Sequence, residues 1–242
     1  SIHSFPTRRS SDLLELGVTG AIKVDQNYRT SNPDIYAVGD AIEVYNALTG
    51  KMMKLPLAGP AQKQAREAAD HMHGMLVKNT GYIGSSVIKC FDYNGASTGL
   101  TEGMIKALNL EINYEVVKVI PGDKVGLMPG CEPLHFKLLF EIPTGKILGA
   151  QAIGRGNVDK RVDIIATAIK FNAKIDDLRD LELCYAPPFG TAKDVVNFAG
   201  YVGSNLLRGA FKQVSESDVR DLVQSGAFIV DVREKNEYEL SH

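Results

Sequence analysis

Tryptophan is absent from this chain of 242 residues, and cysteine is nearly so, with three in all. Cys90, Cys131 and Cys184 lie far apart, with no C-x-x-C pair and no metal-ligand spacing. Neither a disulfide framework nor a metal site is therefore expected. Each cysteine reads as a small buried hydrophobe in a reducing compartment, so the expected location is cytoplasmic. Charge of either sign is not in excess, since 27 Lys and Arg against 29 Asp and Glu leave −2. That removes the electrostatic footprint of a nucleic-acid or anionic-membrane binder. No apolar run approaches the roughly 20 residues that span a bilayer, so neither nucleic acid nor membrane is expected as a partner. Also missing is a G-x-G-x-x-G after a strand; Gly17-Val18-Thr19-Gly20 has the wrong spacing. Residues 1–13 carry no periodicity and lead into no apolar h-region. Their stretch from His3 back-translates into codons resembling a common sequencing adapter, so 1–13 read as a non-native leader.

What is present begins with the string Thr30-Ser31-Asn32-Pro33-Asp34-Ile35-Tyr36-Ala37-Val38-Gly39-Asp40. Pro33 marks the start of an apolar run, and 35–38 read as a short buried strand, with 21–24 as a second candidate feeding into it. Gly39 lets backbone approach a ligand, and Asp40 then stands at the strand's carboxyl end, where open α/β sheets bind ligands. A carboxylate there accepts hydrogen bonds from sugar-like hydroxyls. An isolated Gly-Asp would read as a turn cap instead. After a polar excursion over 46–54, Leu57-Ala58-Gly59-Pro60 opens a helix, with Pro60 suited to its first position and alanines following at helical spacing. Such a helix start offers free N–H groups to an electron-rich ligand edge, while its alanines alone would fit tight helix-on-sheet packing equally well.

From about Tyr82 the texture changes. Residues 86–91, 113–119, 134–141 and 146–153 read as strands, with Leu134, Phe136, Leu138 and Phe140 on one face of the third. Pro143-Thr144-Gly145 makes a hairpin of the last two. Residues 101–108 and 158–171 read as helices, the second with Val158, Val162, Ile165, Ala166 and Ile169 on one stripe. Segregated strands and helices predict an α+β domain of about 120 residues. Beyond it lies Tyr185-Ala186-Pro187-Pro188-Phe189-Gly190, a loop stiffened by two prolines. On residue types alone it is a structural loop with buried aromatics. In the tail, Ser215 caps a helix over 213–224, and 227–233 read as a strand ending in Asp231-Val232-Arg233.

The string 30–40 closely resembles the second flavin signature of the FAD-dependent pyridine nucleotide-disulfide oxidoreductases. The segment Tyr185 to Asp194 resembles their coenzyme A-disulfide reductase branch, especially forms fused to a rhodanese domain. The resemblance implies a partial FAD-binding, Rossmann-like segment over 14–78, an α+β dimerisation domain over 79–209, and a truncated rhodanese start over 210–242. It implies FAD held by Gly39, Asp40, Leu57, Ala58 and Gly59, with NAD(P)H as the reductant. It implies a homodimer in which Tyr185 serves the opposite subunit's site, as proton donor to a departing thiolate. In the family the signature lies past the middle of the chain, so residue 30 is early, and an inactive carboxyl-terminal portion lacking the redox cysteine is expected. At 126–130 the family's second tyrosine is replaced by Leu127 and Met128. Persulfide, polysulfide and oxygen therefore stand beside coenzyme A disulfide as acceptors, oxygen making the protein a flavin NADH oxidase. A non-catalytic dimerisation or scaffold role is the alternative from another class.

Overall fold

The computed structural model describes residues 13–240. Of the leader reading, everything before Leu13 lies outside the described residues, as do the last two residues of the tail. The fold is mixed α/β. Its first part holds a 3-10 turn at Gly39–Ala41, a two-stranded antiparallel hairpin of β1 (Glu43–Tyr45) and β2 (Met52–Lys54), and helix α1 (Ala58–Met72). A small core of Tyr28, Ile42, Val44, Ala68 and Tyr82 joins them. The excursion over 46–54 is thus partly strand, its turn made by Asn46, whose carboxamide oxygen accepts from the N–H groups of Leu48 and Thr49.

Residues 21–24 and 35–38 do not form strands. Ile22 bridges Leu16 and Ile42, and Tyr36 bridges Arg29, each as an isolated pair. A strand is made by its ladder, and no second hydrogen-bonded neighbour extends these pairs among the described residues. Ile35 is accordingly exposed, and the residues that follow it are half-buried, in place of the expected buried run. Pro60 occupies the third position of α1, behind Ala58 and Gly59. The third N–H of a helix has no partner inside the helix either, so proline is tolerated there for the same reason as at the first position.

The second part is a five-stranded antiparallel sheet in the order β3 (Ser85–Cys90), β4 (Tyr93–Gly99), β7 (Ile147–Gly154), β6 (His135–Glu141), β5 (Tyr114–Val119). One face carries Phe136, Leu138 and Phe140, which pack against α3 (Val158–Lys170) and α5 (Val195–Leu207) in the main core. Burying side chains of this size stabilises the fold by about 1.5–3 kcal/mol each. Between those helices lies the short α4 (Ile175–Arg179). The opposite face is covered at one end by α2 (Glu102–Ala107), whose Ile105 joins Leu100, Leu139 and Leu148. Thr101 caps α2 by accepting from the Met104 N–H at 3.2 Å. The rest of that face, with Ile88, Ile120 and Ile153, is open.

Two further expectations change. Cys90 and Cys184 are exposed and Cys131 is half-buried, so none is a core hydrophobe. Cys90 ends the edge strand β3, every residue of which is exposed. In the tail, α6 (Glu216–Gln224) forms with Ser215 as cap, and α7 (Lys235–Leu240) follows. Residues 227–233 are not a strand; they pair with no neighbour among the described residues and leave Phe228 91% and Val232 90% exposed. Asp231 and Arg233 form the ion pair at 2.7 Å.

Candidate functional site: the Gly-Asp turn and the start of helix α1

Gly39 has φ +75°, a conformation that favours glycine. Its N–H donates to Gln64 Oε1 at 2.6 Å, and its α-carbon sits beside Ala61, where an added Cβ would lie 3.6 Å from the alanine methyl. Gln64 and Ala61 belong to the first two turns of α1. This single hydrogen bond, between a backbone N–H and a fully buried amide, sets the Gly39–Asp40 turn beside the start of the helix. Asp40 is exposed. Leu57 precedes the helix in extended conformation without a side-chain cap, and Ala58 and Gly59 are exposed, with nothing within 4 Å of a Cβ built on Gly59. Their N–H groups belong to the first helical turn, which has no carbonyl of its own to bond. The structure thus brings together all five residues expected at the cofactor: Gly39, Asp40, Leu57, Ala58 and Gly59.

A buried polar cluster, which sequence reasoning missed, holds this arrangement in place. The Tyr28 hydroxyl donates to Glu67 of α1 and lies 2.8 Å from the Tyr82 hydroxyl. Burial raises the pKa of Tyr28, and its hydrogen bond to Glu67 raises it further. Burial likewise raises that of Tyr82. Both phenols stay protonated and can donate at any physiological pH. Gln64 Nε2 lies on this side without completing a hydrogen bond among the described residues. Lys63 stands over the Tyr82 ring at 5.1 Å and pairs with Glu67 at 3.6 Å. A glutamine in an alanine-rich helix reads as solvent-facing, so no local signal pointed to Gln64.

Tyr185 lies elsewhere. Its loop turns where Ala186 O accepts from the Phe189 and Gly190 N–H groups, and Tyr185 and Phe189 are 49% and 65% exposed. The aromatics are therefore not buried, since two prolines hold this loop away from the core. The Tyr185 hydroxyl makes no hydrogen bond among the described residues. A buried ion pair anchors the loop's far end. Arg161 of α3, 2% exposed, meets Asp194 at 3.0 Å, and its guanidinium also donates to the carbonyls of Asp123 and Asn157. Asp194 in turn caps α5 by accepting from the Val196 N–H at 3.2 Å. Asn197 donates to the carbonyls of Leu178 and Leu181, fixing the loop's near end. Two signals could have found this network: an arginine inside the apolar stripe of α3, and an Asp-x-x-Asn cap before an apolar run. Leu127 is exposed and Met128 half-buried on the segment that begins just after Asp123. Cys131 donates to the Lys124 carbonyl at 3.2 Å, within that same segment. No grouping of potential metal ligands occurs among the described residues.

Known proteins are similar to this chain over most of its length. Residues 85–195 match the family described as pyridine nucleotide-disulphide oxidoreductase, dimerisation domain. A coenzyme A disulfide reductase of Staphylococcus epidermidis is 36% identical over 194 residues, which are 80% of this chain and 43% of that protein. The crystal structure of reduced Bacillus anthracis CoADR-RHD aligns with TM-score 0.92 and 46% identity, covering 98% of this chain and 42% of that one. The structure of a NAD-dependent persulfide reductase from A. fulgidus aligns with TM-score 0.82 and 34% identity, covering 88% and 39%. The chain therefore spans less than half the length of each of these relatives. Motif, fold and these likenesses agree, and the chain belongs to the pyridine nucleotide-disulfide oxidoreductases, whose dimerisation domain it carries.

Proposed function

We propose that this protein takes part in flavin-mediated reduction of a sulfur–sulfur bond by NAD(P)H, with coenzyme A disulfide, a persulfide or a polysulfide as acceptor. The observation that carries the proposal is the Gln64–Gly39 hydrogen bond, which sets an exposed carboxylate beside an uncapped helix start. The fit to FAD follows from the donor set. Asp40 would accept hydrogen bonds from the ribityl hydroxyls, and the Ala58 and Gly59 N–H groups, flanked by Leu57, would serve the flavin's pyrimidine edge. Gly59 leaves that approach free of side chain. When bound, FAD would supply the two-electron redox chemistry that links hydride from NAD(P)H to reduction of sulfur. The balance is RSSR + NAD(P)H + H⁺ → 2 RSH + NAD(P)⁺, and the added protons have to reach departing thiolates. Tyr185, exposed on a stiff loop, donates one of them as general acid.

In this reading residues 14–78 belong to an FAD-binding domain, 79–209 to the dimerisation domain, and 210–242 to the start of a rhodanese-like domain. The protein works as a homodimer in the cytoplasm, and Tyr185 serves the opposite subunit. The open sheet face bearing Ile88, Ile120 and Ile153, all at least 51% exposed, supports a partner there. Exposed unpaired cysteines fit a reducing compartment, and no described helix is long and apolar enough to cross a membrane.

The test is NAD(P)H oxidation by the flavin-loaded enzyme carrying this sequence, with coenzyme A disulfide, a persulfide and oxygen supplied in turn. Turnover on a sulfur acceptor that falls about 10–100-fold in Tyr185→Phe supports the proposal. Rapid oxygen reduction with no response to either sulfur compound rejects it.

A further inference from the structure

A second cleft, of about 990 Å³, lies between the first part of the chain and the helical face of the sheet. Four lysines line it: Lys63 from α1, Lys78 from the connector to β3, Lys146 at the start of β7 and Lys170 at the end of α3. Among the described residues no aspartate or glutamate lines it, in a chain whose acidic residues outnumber its basic ones. Two of the lysines have partners. Lys63 pairs with Glu67, itself engaged by Tyr28, and Lys170 donates to Thr80 at 2.5 Å while complementing the negative end of α3. The ammonium groups of Lys78 and Lys146 make no hydrogen bond or ion pair among the described residues. Four ammonium-bearing side chains from four separate elements thus line one concave surface, which favours an anion. The side chains of Lys63 and Lys170 have local structural roles, while those of Lys78 and Lys146 have none among the described residues.

We infer that this cleft binds a small anion carrying a diphosphate group. Four cations exceed what a single carboxylate or monophosphate would engage, and Lys is a point charge suited to phosphate oxygens. Leu48 and Ile169 add an apolar wall wide enough for an attached organic group. Apart from Tyr82, whose ring is already covered by Lys63, the cleft offers no aromatic on which nucleic-acid bases would stack. The cleft borders the start of α1 at Gly59 and Pro60, but its lysines are distinct from Asp40 and Tyr185.

Titration calorimetry on the chain tests this, with inorganic pyrophosphate and ADP as probes and sulfate at equal ionic strength as reference. Saturable pyrophosphate binding is expected, at least about tenfold weaker in Lys78→Gln/Lys146→Gln, and weakened by added salt. A control with the same loss of charge, Lys89→Gln/Lys212→Gln, should stay within about twofold of wild type. ADP binding tighter than pyrophosphate assigns the wall to the nucleoside; equal affinities assign recognition to the diphosphate alone. The inference is overturned if neither probe saturates by about 10 mM, if sulfate binds as well, or if both double variants weaken binding equally.

Discussion

Removing Asp194 should destabilise this protein more than almost any other single carboxylate loss. Asp194 and Arg161 are 4% and 2% exposed, and they meet at 3.0 Å with a second contact at 3.2 Å. In Asp194→Ala the guanidinium stays buried, with the carbonyls of Asp123 and Asn157 as its remaining partners and no counter-charge. Stranding one half of a buried pair costs about 3–5 kcal/mol. The substitution also uncaps α5, an effect of about 1 kcal/mol that overlaps with the first. At about 2–4 °C per kcal/mol for a chain of this size, the melting temperature should fall by roughly 10 °C. Because both charges are gone in Arg161→Met/Asp194→Leu, that double variant should recover a large part of the loss. The assay is urea and thermal denaturation of wild type, both single variants and the double. A cost below about 1 kcal/mol for Asp194→Ala, or a double variant as unstable as the sum of the singles, would refute the reasoning.

Other expectations follow from single geometric features. Gly39→Ala has room for its methyl but must adopt φ +75°, so a loss of about 1–2 kcal/mol is expected in urea denaturation, and no change would contradict it. The Asp176 pKa is lowered, first by the Ser204 hydroxyl and then by Arg208 and Arg179. A depressed carboxylate contributes stability that is present above its unfolded value of 3.8 and lost as pH falls through the lower folded value. The melting temperature of Ser204→Ala should therefore drop less steeply than that of wild type over the acid range below that value. Tyr185→Phe should leave the melting temperature within about 1 °C of wild type, because the exposed hydroxyl has no partner among the described residues, while lowering turnover on sulfur acceptors.

The sheet of the second part was legible because β6 puts Phe136, Leu138 and Phe140 on one buried face, with Leu139 as the apolar exception on the other. Strand β4 was not, since Tyr-Asn-Gly-Ala-Ser-Thr-Gly has no apolar alternation; it is a strand because β3 and β7 pair with it on both sides. The opposite error occurred at 227–233, where the pattern suits a strand and no neighbour supplies the ladder. Helix α5 was missed for its glycines. A Cβ on Gly200 would lie 2.6 Å from the Arg179 N, and one on Gly203 would lie 2.5 Å from Ile175, so the residues that weaken the helix locally are those that let it dock on α4. At the site, Gly39 and Asp40 were readable from an eleven-residue string, and the start of α1 from its small residues and proline. Gln64, Tyr28, Tyr82 and Glu67 were not, because their pairing across 39 and 54 residues exists in the folded chain alone.

The central claim is that Asp40 and the start of α1 hold the flavin. Its most direct test is the FAD dissociation constant of the holoenzyme carrying this sequence, measured by flavin fluorescence for wild type and Asp40→Ala. Loss of a charged acceptor from ribityl hydroxyls should weaken FAD by about 10–100-fold, matching about 1.5–3 kcal/mol. An unchanged dissociation constant in Asp40→Ala would contradict the account.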